Sequence, residues 1–136
     1  MTFDKYNFQK SASPIAIDWE EIEVITAFQL PEDYKYFLEN YHGYEGFIGS
    51  EFLQLWGYND FLEKNNSYGI IDHLISTCGI GTNGSGEFLA IELIAPCQYR
   101  VVLSPFIDLS KEYHIEIGAS FSEMLIQLDS GKEWFR

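Results

Sequence analysis

The chain has 136 residues, 46% of them hydrophobic and 17% aromatic, enough for one domain that buries roughly two-thirds of its unfolded surface. Its 3 Trp, 9 Tyr and 11 Phe argue against disorder in spite of a net charge of −13. Eight Lys and Arg against 21 Asp and Glu exclude unaided binding to nucleic acid or to an anionic membrane, because too few cations are present to displace counterions.

Residues 1–14 read as an arm, aromatic and polar by turns, that forms an edge strand or stays mobile. The first helix opens at Asp18, with Glu21 three positions on as in a capping box and Ile17 placed to staple onto Ile22. Trp19, Ile22, Ile25 and Phe28 recur every third residue and predict its inner face. In the second helix Pro31 suits the first position, and Glu32 and Asp33 suit the positive end of the dipole. Tyr34, Phe37, Leu38 and Tyr41 form its apolar stripe, and Gly43 ends it. The period then shortens. Residues 47–48 and 52–56 read as strands joined by Gly49-Ser50, and Asn59 caps a short helix through Asn66. Segments 74–78, 88–94 and 99–103 are strands by composition, with 111–117 a further one. Ser120 and Glu123 form a second capping box, opening a helix with Phe121, Met124, Leu125 and Leu128 inward and Gly131 beyond its end. The expected fold is α+β in one domain over 1–136. A mainly antiparallel sheet of about five to six strands carries two N-terminal helices and a C-terminal helix.

Little in the chain points to catalysis. Residues 79–84 spell G-x-G-x-x-G, but a strand pattern follows where a dinucleotide site needs a helix N-terminus. The glycines fit a hairpin turn with positive φ. His42, His73 and His114 stand alone, without metal-ligand spacing, and nothing local pairs Cys78 with His114. No cofactor or metal is expected. The N-terminus lacks an apolar signal segment and Cys78 and Cys97 have no C-x-x-C spacing, so a cytoplasmic protein with reduced thiols is expected.

Charge is more informative. From Ser11 to Glu63 there are eleven acids and one base, Lys35, which places −10 of the chain's −13 in its first half. Such a surface either keeps the chain solvated or docks a cationic partner, where charge sets rate and orientation and aromatic anchors set affinity. Glu39, Glu45, Asp60 and Glu63 are the candidate steering residues. Tyr44 and Tyr58, in glycine-flanked acidic loops, and Trp56 are the candidate anchors.

With these motifs placed, the chain resembles the SUKH superfamily, the Smi/Knr-like domain of fungal cell-wall regulators and many bacterial immunity proteins. Asp18-Trp19-Glu20-Glu21-Ile22-Glu23 is similar to the family's first helix. Leu30-Pro31-Glu32-Asp33-Tyr34-Lys35-Tyr36-Phe37-Leu38 is similar to its LP-x-DY motif, the most specific piece. Gly81-Thr82-Asn83-Gly84-Ser85-Gly86-Glu87-Phe88 resembles its glycine-rich turn, although the family often has Asp where Asn83 stands and Gly where Ser85 stands. Val101-Val102-Leu103-Ser104-Pro105-Phe106-Ile107 and Phe121-Ser122-Glu123-Met124-Leu125 resemble its closing strand and helix. The resemblance implies a non-catalytic immunity protein, a monomer or weak homodimer, that blocks a basic toxin of nuclease or deaminase type. Its alternative is a regulatory module that binds endogenous proteins. Partner contacts vary among members, so the resemblance itself assigns no site residue.

Overall fold

The computed structural model describes residues 3–135. Helices α1 (Trp19–Thr26) and α2 (Glu32–Asn40) precede strands β1 (Tyr44–Ile48) and β2 (Glu51–Leu55). Helices α3 (Tyr58–Ser67) and α4 (Ile70–His73) follow, then β3 (Thr77–Thr82), β4 (Glu87–Ala95), β5 (Gln98–Pro105), β6 (Ile115–Gly118) and α5 (Phe121–Asp129). The six strands form one antiparallel sheet in chain order. Because side chains alternate across a strand, the sheet has two covered faces. Leu89, Ile91, Val101 and Leu103 join Cys78, Ile80 and the inner residues of α1, α2 and α5 in the main core. Phe88, Ala90 and Val102 point the other way, beneath Trp56, Ile70, Leu74, Phe106 and Leu109.

The helix ends form as the capping chemistry dictates. Asp18 Oδ1 accepts from the Glu21 N–H at 3.0 Å, and Ser120 Oγ accepts from the Glu123 N–H at 3.0 Å. Phe121, Met124, Leu125 and Leu128 are the buried residues of α5, as expected. In α1 the every-third-residue reading fails at Ile25, which is exposed, while Thr26 is buried beside Ile22 on the inner face. Each step of three falls about 60° short of a full turn, so the stripe walks off the core after one step. Pro31 caps α2 from outside rather than opening it, and α2 ends at Asn40. Gly57, not Asn59, is the N-cap of α3.

The arm is neither an edge strand nor loose. Phe3 and Phe8 are buried in the main core, their rings 5.5 Å from Phe121 and 5.3 Å from Phe37, and Lys10 bridges to Tyr41. Met1 and Thr2, also in that expectation, lie outside the described residues.

The glycine motif is only partly a turn. Gly84 and Gly86 have φ of +75° and +100° and shape the β3–β4 hairpin, but Gly79 and Gly81 lie within β3. There the absence of a side chain permits close approach: a Cβ on Gly81 would collide with the Gln54 carbonyl, and one on Gly79 would lie 2.8 Å from Ile70 Cδ1. Buried Asn65 of α3 completes the contact, accepting from the Gly79 N–H at 2.6 Å and donating to the Gly79 carbonyl at 2.8 Å. The strand expected over 74–78 therefore begins later, at Thr77, and runs through the glycines. The motif passes from strand to turn to strand, without the helix N-terminus a dinucleotide needs.

Candidate functional site

Two chain passages meet beside the sheet's β1–β2 end. One leaves α2 through His42-Gly43 into β1, and the other leaves β2 through Trp56-Gly57 into α3. They cross at glycine. A Cβ on Gly43 would lie 2.8 Å from the Gly57 nitrogen, and one on Gly57 would lie 2.9 Å from the His42 carbonyl oxygen. This close crossing sets the bases of Tyr44 and Glu45 next to those of Tyr58 and Asp60. The arm walls the same place, its Gln9 carbonyl accepting from the His42 N–H at 3.0 Å.

The result is a groove of two adjoining hollows, of about 350 and 430 Å³, which share His42, Gly57 and Asp60. Tyr44 and Glu45 line the first, and Tyr58 and Asn59 line the second. Among the described residues no Lys or Arg lines either. Glu45 and Asp60 are exposed, and Glu63 is exposed one turn beyond Asp60 on α3.

The rings are partly committed. Tyr44 packs on Phe8, with centroids 4.9 Å apart, and its hydroxyl donates to the Phe47 carbonyl at 2.8 Å. The Tyr58 hydroxyl accepts from the Asp18 N–H at 3.4 Å. Both are half-buried, so each is held in place with an edge left at the groove. Glu39 is half-buried in the last turn of α2 and lines neither hollow.

Trp56 corrects the expectation of a third anchor. It is 1% exposed, belongs to the second-face cluster and stacks with Tyr68 at 6.3 Å. Its place after β2 turns the indole over Gly79, whose missing side chain makes room for it.

A second constellation escaped the sequence reading. Glu92 of β4 is 5% exposed on the second face. Arg100, opposite it on β5, places Nε and Nη2 each 2.9 Å from Oε1. Lys111 Nζ lies 3.3 Å from Oε2, and His114 Nδ1 lies 3.2 Å from Oε1. Burial alone would raise the Glu92 pKa. Hydrogen bonds from His114 and Arg100, the Arg100 charge and the Lys111 hydrogen bond outweigh it and hold the carboxyl below its ordinary range. A lone acid inside an apolar strand run, four residues before a hairpin turn with Arg100 across it, was the available signal.

The register also separates the two groups weighed as a nucleophile pair. Cys78 pairs with Ile91 and faces the main core, where burial pushes its thiol pKa up, whereas His114 sits with Glu92 on the other face. Cys97 is exposed in the β4–β5 turn, and both thiols are free. Among the described residues no helix is long and apolar enough to cross a membrane.

Against individual curated proteins the chain gives no match. Against protein families it matches SMI1 / KNR4 (SUKH-1) over residues 16–127, nearly the whole of the sheet and the helices on it. The six-stranded antiparallel sheet with its flanking helices, within the five to six strands the sequence pattern predicts, is thus the fold of a member: the chain belongs to the SMI1 / KNR4 family (SUKH-1).

Proposed function

We propose that this SUKH-type module is a non-catalytic binding protein, most specifically an immunity protein that caps the basic cleft of a toxin of nuclease or deaminase type. The observation that carries this reading is the groove, lined by no Lys or Arg among the described residues, where Glu45 and Asp60 stand in solvent between two fixed tyrosine edges. A toxin that handles nucleic acid presents a basic cleft, and carboxylates at the groove take the place of phosphates there. Glu39 and Glu63 lie outside the hollows and add to the field that steers the encounter. Tyr44 and Tyr58 supply rigid anchors at low entropic cost.

Two measurements test it. Co-expression with each candidate toxin scores survival, and rescue supports the immunity reading. Binding to endogenous proteins without rescue favours the regulatory alternative. For whichever partner binds, reversing Glu39, Glu45, Asp60 and Glu63 together slows association by about 10–100-fold at low salt and only slightly at high salt. An association rate that ignores this reversal at low salt removes the docking role of the acids.

A further inference from the structure

Between β5 and β6 the chain crosses the sheet's second face. Phe106 is fixed there, its N–H donating to the Gly86 carbonyl at 3.0 Å and its ring 5.0 Å from Phe88. Beyond it the attachment changes in kind. Among the described residues, the backbone hydrogen bonds of 107–113 are all local: Ser110 N–H to Asp108, Tyr113 N–H to Ser110, and His114 N–H to Lys111. This segment holds to the body by side chains, namely Leu109 on the second-face cluster and Lys111, joined at its end by His114 on Glu92.

Two further observations show how lightly residues 107–111 sit, although the His114 side chain at the end of the segment is fully buried. A hollow of about 360 Å³ separates Leu109, Ser110 and Lys111 from His73, Leu74 and Ile75. The segment also turns Ile107 outward, 96% exposed. Against this, the polar attachment is strong where it occurs, because Glu92 is buried and takes both Lys111 Nζ and His114 Nδ1 on one carboxylate.

We propose that residues 107–114 form a strap, hinged at Phe106 and Ile115 and latched shut by Glu92, that opens as a unit while the six-stranded sheet stays intact. Opening lifts Leu109 and Lys111 and joins the hollow to the apolar surface around Leu74 and Val102. The Glu92–Arg100 pair remains at its border. Segments tied by few apolar contacts and no non-local backbone bonds are the ones that open below the global free energy.

Amide-resolved hydrogen exchange on the full chain tests this. The Ser110, Tyr113 and His114 amides should exchange through a smaller opening than ladder amides such as Ala90 and Val102. Lys111→Met leaves the Glu92–Arg100 pair in place and should speed those three amides about tenfold, with the ladder unchanged. Glu92→Gln, remote in sequence from the strap, should speed the three amides by more than it speeds the ladder. If the strap and ladder amides share one opening rate, or if Lys111→Met moves both equally or neither, the strap is part of the cooperative core and the proposal fails.

Discussion

At the groove Glu45 and Asp60 stand in water and, among the described residues, form no ion pair and line hollows that hold no Lys or Arg, whereas on the sheet's second face Glu92 is buried under Arg100, Lys111 and His114. The same functional group thus does two kinds of work in one small domain. Where the carboxylate is solvated, its field extends outward and its contribution to folding is small. Where it is buried and fully partnered, its field is consumed locally, and removing it takes from Arg100 its nearest counter-charge and from Lys111 its partner. An acidic composition is therefore not one property: it divides into charge left in solvent and charge taken up by the fold.

The largest effect should come from breaking the second kind. Glu92→Ala leaves Arg100, Lys111 and His114 crowded without their shared acceptor, and we expect a loss of about 3 kcal/mol in urea unfolding. A loss under 1 kcal/mol would mean that water replaces the carboxylate freely and that the contrast with the groove is false.

Acid should sharpen the same contrast. The folded-state pKa of Glu92 lies below the ordinary value of about 4.3, so its stabilisation is fully present above that value and fades as pH falls through the folded value. Comparing stability against pH for the unaltered chain and Glu92→Gln isolates this part. The difference between them should shrink on acidification below about pH 4, and a difference that stays constant would assign the effect of the substitution to packing.

Much of the fold was legible because its signals are local. A capping box joins residues three apart, and the α5 stripe of Phe121, Met124, Leu125 and Leu128 spans two turns, so neither depends on the rest of the chain. The same holds for the Gly49-Ser50 turn between β1 and β2. The misreadings share a different cause. Gly79 and Gly81 look like turn residues until Ile70, Trp56 and Gln54 are placed against them. Trp56, at the end of its strand, looks like an accessible anchor until Ile70, Leu74 and Tyr68 close the second face over it. The site divides the same way. Charge and glycine-flanked tyrosines marked Tyr44, Glu45, Tyr58 and Asp60, which do line one groove, but the groove itself comes from the crossing of Gly43 and Gly57, which no spacing encodes. The Glu92 cluster draws on β4, β5 and the strap, and only the Glu92–Arg100 half had a sequence signal.

Glu116 is the intermediate case. It lies 3.8 Å from Arg100 Nη1 but is about half exposed. Glu116→Gln should cost about 0.5 kcal/mol at low salt and nothing measurable at high salt, since a solvated partner is screened while Glu92 is not. Equal costs for Glu116→Gln and Glu92→Gln would show that burial is not what separates the two neighbourhoods.

The smallest effect belongs to the groove. In Glu45→Gln with Asp60→Asn each side chain keeps its shape and loses its charge, and among the described residues neither carboxylate has a cation to abandon. The change removes two negative charges from a surface that already repels itself, and at Asp60, in the first turn of α3, it also removes a small favourable interaction with the helix dipole. Stability should therefore stay within about 0.5 kcal/mol of the unaltered chain or rise slightly, in thermal or urea unfolding at low salt. Added salt should erase even that gain, because the repulsion relieved is itself screened. A destabilisation above 1 kcal/mol would show that Glu45 or Asp60 holds the crossing of Gly43 and Gly57 together. That outcome would move the groove's charge from the solvent side of the division to the fold's, and would remove the physical basis for the docking proposed there.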